Sequence, residues 1–333
     1  MRIAFMGDVM LGRIVNEALQ YEAPDYPWGD VTAVLRRADL RVCNLECVIS
    51  DRGQPWTLTP KVFHFRSDAK NVRVLERAQI DSVSIANNHA LDYEYQAMFN
   101  MREILRERGI SFAGAGRNLD EASSPAMSMV GGQRIGVIAF TDNEPCWEAM
   151  TQRPGTHYVP IDLEDRRAAR LFRTVGEAKA ATDLLIVSAH WGPNRGYRPQ
   201  RDHIPFAKQL INAGADIVFG HSCHIFQGIE IYRGKPIIYS AGDFIDDYAV
   251  DEVERNDQSF IFVVETADGG IQRMQLYPIV IRNLQARLAR GPELEEIAFK
   301  MMVLCKEFGT VAVWRGKKEC LEIEVLPTRR VAS

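Results

Sequence analysis

The chain has 333 residues, and its 40 lysines and arginines against 44 aspartates and glutamates give a formal charge of −4. This balance excludes a general basic surface that wraps nucleic acid, and 46% hydrophobic with 25% charged residues is typical of a globular protein. No stretch reaches the roughly 18 consecutive apolar residues of a membrane helix, and the N-terminus lacks the features of a signal peptide. We therefore expect a cytoplasmic protein without a membrane span, whose six scattered cysteines are reduced.

Short apolar runs that end in polar residues alternate with helical patterns over the first two thirds of the chain. The runs have the length and β-branched content of buried strands, and they lie at Ile3–Met6, Leu40–Val42, Ser82–Ala86, Leu184–Ala189 and Ile217–Phe219. Helical patterns lie at Asn71–Gln79, Tyr95–Arg108, Arg166–Ala181 and Pro205–Ala213. This alternation predicts βαβ units and a largely parallel sheet.

The pattern changes from Gly228 onward to short strands separated by turns. These strands predict a second sheet of antiparallel hairpins, built from Ile229–Tyr232, Pro236–Ser240, Phe260–Glu265 and Gln272–Ile281. A helix is predicted at Glu293–Phe308, followed by a closing strand pair at Val311–Trp314 and Cys320–Val325.

Metal-capable side chains follow the predicted strands of the first region. They are Asp8, Glu46, Asn88, His89, His190, His221 and His224. Each one alone has an ordinary structural explanation, but a single parallel sheet brings the carboxyl ends of its strands to one edge, where ligands bind. Oxygen and imidazole ligands together suit Zn²⁺, Mn²⁺ or iron better than a thiolate site does.

Seven segments in this order resemble the CapA/PgsA family, which is named for bacterial capsule and poly-γ-glutamate synthesis. The segments are Gly7–Gly12, Asn44–Glu46, Ala86–Tyr93, Gly114–Gly116, His190–Gly192, Gly220–His224 and Tyr239–Phe244. The resemblance implies a four-layer α/β/β/α sandwich of the calcineurin-like metallophosphoesterase type over residues 1–284. Residues 285–333 are expected to form a C-terminal α+β extension packed on the same domain.

The resemblance also implies one or two divalent metal ions. The residues that match metal positions are Asp8, Glu46, Asn88, His190, His221 and His224, with Asp243 expected to support a ligand imidazole from behind. Two departures weaken one site: Asp8-Val9-Met10 replaces Asp-x-His, and two residues rather than one separate His221 from His224. We therefore predict one strong site made of Glu46, Asn88, His190 and His221, and a second site that is weak or absent.

His89 is predicted to transfer protons, because its unperturbed pKa of about 6.5 lies close to working pH. Asp92 either orients His89 or caps the following helix. The cations Arg195, Arg198, Arg201 and Lys61 either bind an anionic group of the substrate or belong to solvated loops.

Three reactions remain open for such a site. The metal and His89 act on a carbonyl of a peptide or γ-glutamyl-type substrate, or they epimerise a peptide through a metal-stabilised enolate, or they hydrolyse a phosphoester. A binding role in capsule assembly without catalysis is a further alternative. The expected partner in the first two cases is a peptide or a polyglutamate-like chain.

Overall fold

The computed structural model describes residues 1–267 and 269–325. Within them the α-helices are α1 (Arg13–Ala18), α2 (Thr32–Leu35), α3 (Val72–Arg77), α4 (Glu94–Glu107), α5 (Leu119–Ser123), α6 (Arg166–Ala181), α7 (His203–Ala213) and α8 (Gly291–Glu307). The first ten strands are β1 (Arg2–Val9), β2 (Leu40–Leu45), β3 (Val48–Ile49), β4 (Arg66–Ser67), β5 (Ser82–Ser84), β6 (Ser111–Ala113), β7 (Ala115–Gly116), β8 (Ala126–Val130), β9 (Gln133–Thr141) and β10 (Gly155–Thr156). The remaining strands are β11 (Leu184–His190), β12 (Ile217–His221), β13 (Ile229–Tyr232), β14 (Lys235–Ile238), β15 (Asp243–Ile245), β16 (Gln258–Ala267), β17 (Gly270–Arg282), β18 (Gln285–Leu288), β19 (Ala312–Arg315) and β20 (Cys320–Glu324).

Two large mixed sheets contain sixteen of these strands, and the pairs β3–β4 and β7–β10 form two small sheets. The ten-stranded sheet has the order β19-β20-β17-β16-β1-β2-β5-β6, with β15 paired to β1 and β18 paired to β17. The six-stranded sheet has the order β13-β14-β12-β11-β9-β8. Strands β1, β2, β5 and β6 run parallel, as do β9, β11, β12 and β14.

The predicted division into a parallel N-terminal sheet and a separate C-terminal hairpin sheet is wrong. Strand β16 pairs antiparallel with β1, so the late strands extend the sheet that β1 begins. The hairpin β13–β14 instead joins the other sheet, where β14 lies parallel to β12. Local hydrophobic periodicity identifies strands but carries no information about which edge a distant strand will occupy.

The predicted C-terminal extension continues the large sheet, as far as the structure describes it. Strands β18 and β20 both pair with β17, and α8 packs buried leucine and methionine side chains against the same core. Residues 326–333 of that predicted extension lie outside the described residues.

Alternation along the strands builds four layers. In β1, Ile3 and Phe5 face the core between the sheets, whereas Ala4 and Met6 face the helices α3 and α4. The rings of Phe5 and Phe219 meet across the two sheets, with centroids 5.0 Å apart. Helices α6 and α7 cover the outer face of the six-stranded sheet. The predicted four-layer α/β/β/α sandwich is confirmed.

No helix in residues 1–267 and 269–325 is both long enough and apolar enough to cross a membrane.

A buried histidine behind the second sheet makes stability depend on pH. His157 is 2% exposed, its Nδ1 lies 2.9 Å from the carbonyl oxygen of Ala139, and burial lowers its pKa to about 4. The unfolded chain binds a proton below pH 6.5, whereas the folded chain resists it until about pH 4, so this contribution is fully present above pH 6.5. It is lost as the pH falls towards 4, by about 3 kcal/mol.

The variant His157→Asn is expected to reduce this acid sensitivity, because an amide can still donate to Ala139 but does not titrate. The measurement is the free energy of urea unfolding at pH 7 and at pH 4.5 for both proteins. We expect the loss between the two pH values to be about 2–3 kcal/mol smaller in the variant. An equal loss in both proteins would contradict the assignment.

Candidate metal centre

The register of the parallel strands brings the polar side chains together. Asp8 on β1 pairs with Asn44 on β2, and His190 at the end of β11 pairs with His221 at the end of β12. Both pairs lie at the carboxyl ends of their strands, where the two sheets face each other. The side chains therefore meet at carboxyl ends of strands in two facing sheets, whereas the sequence prediction placed them at the edge of a single sheet.

A close backbone contact brings a further carboxylate to Asp8. A Cβ atom on Gly7 would lie 1.7 Å from the carbonyl oxygen of Gly242, so only glycine allows this approach. The Asp8 amide donates to the Gly242 carbonyl at 3.0 Å, and the register of β15 sets Asp243 beside Asp8.

The first group of candidate ligands consists of Asp8, His190 and His221, whose ligand atoms all lie within 4.8 Å of one another. The Nδ1 atoms of the two histidines are 2.9 Å apart, and Ser188 Oγ lies 2.8 Å from His221 Nε2. Asn88 belongs beside this group, because its Oδ1 lies 3.0 Å from His190 Nε2. Burial lowers the pKa of His221 to about 3, which keeps its imidazole neutral and able to bind a metal.

The second group consists of Asp8, Glu46, His224 and Asp243, again with all ligand atoms within 4.8 Å. His224 Nδ1 lies 2.8 Å from Asp243 Oδ1. Among the described residues, Glu46 Oε2 and Asp243 Oδ2 are buried oxygens without a hydrogen-bond partner. Burying two carboxylate oxygens of one group without partners costs free energy unless a cation binds them.

The pKa shifts in the second group also indicate a site for a cation. Burial, followed by repulsion from Asp8 and Asp243, raises the pKa of Glu46 well above its usual value. Burial also raises the pKa values of Asp8 and Asp243. Burial by itself would lower the pKa of His224, but the neighbouring carboxylates outweigh it and raise it to about 9. Without a metal, a protonated His224 supplies positive charge next to these carboxylates. A bound divalent cation would supply that charge instead, so the donor set fits such a cation.

These groupings divide the predicted ligands differently from the sequence prediction, and their role in binding metal stays a prediction. The four residues predicted to form one strong site divide, with His190 and His221 in the first group and Glu46 in the second. Asp8 is common to both groups. Asp243 lies within the second group rather than only behind it. The two residues between His221 and His224 explain how His224 joins the second group. Ser222 (φ 95°) and His224 (φ 59°) turn the chain sharply and bring His224 to Asp243.

A bacterial capsule synthesis family has a sequence model, described as "Bacterial capsule synthesis protein PGA_cap", that matches residues 2–248. The chain belongs to this family. All of the candidate ligands lie within the matched residues.

PGA_cap relatives match almost the whole chain. A probable polyglutamine synthesis accessory protein of Mycobacterium tuberculosis is 32% identical, over 98% of this chain and 96% of the relative. The capsule biosynthesis protein CapA of Bacillus anthracis is 25% identical, over 97% of this chain and 77% of the relative. A hypothetical protein of Thermus thermophilus shares the fold with a TM-score of 0.51 and 14% identity, over 85% of this chain and 100% of that protein.

In this PGA_cap protein a histidine and a carboxylate form a buried pair beside the second group. His89 Nδ1 lies 2.6 Å from Asp92 Oδ2, and His89 Nε2 lies 3.9 Å from Glu46 Oε1. Asp92 contacts His89 and the amide of Phe65, while Tyr93 occupies the cap position of α4. Of the two roles considered for Asp92, its position fits the orientation of His89. Burial lowers the pKa of His89, although Asp92 opposes this shift.

A cavity of about 520 Å³ opens over this pair. Its lining includes Asn88, His89, His224 and Arg195. Lys61 also lines it, but its ammonium already donates to the carbonyl of Asn88 at 2.6 Å, and its side chain is only 7% exposed.

The structure places one of the three loop arginines at the cavity, and binding of a substrate anion by this loop stays a prediction. Arg198 and Arg201 do not line the cavity, and the Arg198 guanidinium instead donates to Glu307 at 2.8 Å. Arg195 does line it, and its nearest carboxylate, Asp251, lies 3.4 Å away. Glu307 and Asp251, which are distant from the loop in sequence, therefore compete with any substrate anion for Arg198 and Arg195.

Three functional neighbours escaped prediction. Asn44 donates to Asp8 Oδ1 at 2.7 Å, and Asn87 in turn donates to Asn44 Oδ1 at 3.0 Å, so the two amides orient the shared carboxylate. Phe65 stacks on the His89 ring with centroids 3.9 Å apart. Both asparagines stand at the same predicted strand ends as the ligands, which is a usable signal, whereas Phe65 lies in a loop without periodicity.

Proposed function

We propose that the protein is a metal-dependent enzyme acting on an amide carbonyl of a peptide or γ-glutamyl-type substrate. The observation that carries this proposal is the position of the His89–Asp92 pair: His89 lines the cavity, and the pair lies beside the second group of candidate ligands. A group that moves protons and a site that suits a Lewis acid then face the same space.

Each residue has a defined task in this proposal. Asp8, Glu46, His224 and Asp243 would hold one divalent ion, and Asp8, His190 and His221, with Asn88 beside them, would hold another. A bound ion supplies Lewis acidity towards a carbonyl oxygen. His89 in its neutral form accepts a proton at Nε2, because Asp92 engages Nδ1 and so fixes the tautomer. Lys61, 3.4 Å from Asp92 Oδ1, keeps that carboxylate in place.

The substrate class comes from the relatives. They are named for polyglutamine synthesis, capsule biosynthesis and PGA biosynthesis, and polyglutamine is a chain of amide-linked amino acids. We therefore assign the reacting group to an amide carbonyl.

Mass spectrometry of metal-loaded protein with α-linked and γ-linked glutamyl peptides in heavy water tests the proposal. Cleavage or transfer at an amide supports it, provided that chelation stops the reaction and added metal restores it. Deuterium at Cα without cleavage would replace it with epimerisation. Turnover of a phosphoester such as p-nitrophenyl phosphate, with no change in any peptide, would replace it with phosphoester hydrolysis.

A further inference from the structure

The charges around the cavity cancel. Its lining contains three arginine and lysine cations, Arg13, Lys61 and Arg195, and three carboxylates, Glu144, Asp251 and Glu254. His224 also lines it, but Asp243 lies 2.8 Å from its Nδ1 and balances its charge.

Each cation also has a carboxylate within ion-pair distance: Arg195 lies 3.4 Å from Asp251, Lys61 lies 3.2 Å from Glu144, and Arg13 lies 3.4 Å from Asp247. A cavity that concentrates a polyanion needs an excess of one sign along its walls. This cavity has none.

One wall of the cavity is apolar and open to solvent. Val62 and Phe63 line it with exposed fractions of 85% and 58%. Large apolar side chains left this open beside a candidate site mark a binding surface.

The apolar surface leads directly to the proton-transfer residue. The ring centroid of Phe63 lies 6.3 Å from that of Phe65, and Phe65 stacks on His89 at 3.9 Å. The Arg13 guanidinium lies 5.8 Å and 5.7 Å from the two phenylalanine rings, where it covers their faces while it pairs with Asp247. A group resting on Phe63 is therefore one ring away from the ring that packs on His89.

We infer that the cavity binds a peptide with an apolar side chain next to the reacting carbonyl, rather than a run of glutamate carboxylates. Val62 and Phe63 are the specificity-determining residues. The inference rests on the proposed function, which it narrows from peptides and polyglutamates to peptides that carry an apolar residue at this position.

The test uses two peptides that differ only in the residue next to the reacting amide, leucine in one and glutamate in the other. We expect the wild-type protein to have the higher kcat/KM with the leucine peptide. Phe63→Ala is expected to lower that value about tenfold and to leave the glutamate peptide nearly unchanged, since a hydrophobic contact of this size discriminates on that scale. Phe63→Leu keeps the wall apolar and should restore most of the preference.

Leu58→Ala is the matched control. Leu58 lies in the same loop and is 73% exposed, but it does not line the cavity, so its removal should leave both peptides unaffected. A wild-type preference for the glutamate peptide, or an equal fall for both peptides in Phe63→Ala, would overturn the inference.

Binding of the two peptides, measured by calorimetry, separates this inference from the proposed function. If neither peptide reacts, the proposed function fails, and the affinities then decide the inference. Tighter binding of the leucine peptide that is lost in Phe63→Ala supports it. Equal affinities, or tighter binding of the glutamate peptide, overturn it.

Discussion

Replacing His89 with alanine is expected to lower kcat by about 10²- to 10⁴-fold while leaving the metal content of the protein unchanged. His89 lines the cavity and is held through Nδ1 by Asp92, but it belongs to neither group of candidate ligands. Its loss therefore removes proton transfer and spares the metal ligands. Steady-state kinetics with the peptide substrate and elemental analysis of the purified variant measure the two effects.

His64→Ala and His221→Ala are the controls for this experiment. His64 is a half-buried histidine of the neighbouring loop that does not line the cavity, so its loss should change kcat less than about threefold. His221 is a candidate ligand, so its loss should lower metal content and activity together. Equal metal loss in the His89 and His221 variants would make His89 a ligand.

The elements with strong periodicity were predictable from the sequence. The helix α6 begins and ends at the predicted residues, Arg166 and Ala181, because its apolar stripe and its Asp165 cap both mark the boundary. Strand β9 carries an equally clear apolar run, Ile135–Phe140, and is absent from the predicted strands although its signal is present. Strand pairing was not predictable, because the paired residues of β1 and β16 are more than 250 positions apart. Nothing in the sequence of either strand identifies the other as its partner.

The candidate site was also predictable from the sequence only in part. The sequence places Asp8, His190 and His221 at the carboxyl ends of strands, and their ligand atoms lie within 4.8 Å of one another. The facing of two sheets that brings Asp8 to the two histidines was not predicted, because the sequence pattern indicated one parallel sheet. The division of the ligands between two groups depends on left-handed residues after His221, which spacing alone does not reveal. The apolar wall of the cavity comes from a loop with no periodic pattern, so its contact with His89 depends entirely on tertiary packing.

Asp8→Asn is expected to remove metal from both groups at once, because Asp8 is the residue that they share. The amide keeps the volume of the carboxylate but lacks its charge, and one of its ends would present a donor to Asn44 or to the Ser222 amide, which both donate to Asp8. By contrast, Asp243→Ala should release only the ion of the second group, and His221→Ala only that of the first. Elemental analysis after metal loading and dialysis gives the number of ions in each variant. Full metal content in Asp8→Asn would exclude a shared ligand.

The stability of the metal-free protein tests the role of Asp8 as a metal ligand independently. Burial, with repulsion from Asp243, raises the pKa of Asp8, so ionised Asp8 lowers stability above that pKa when no cation is present. A raised carboxylate pKa means that this cost is absent at low pH and appears as the pH rises. Chelated Asp8→Asn should therefore unfold at a higher urea concentration than chelated wild-type protein at pH 8, with a smaller difference at pH 5. With metal present the order should reverse, because only the wild-type protein then gains the free energy of binding. A variant that is less stable than wild type at pH 8 after chelation would show that Asp8 is stabilised by its own hydrogen bonds rather than held in place for a cation.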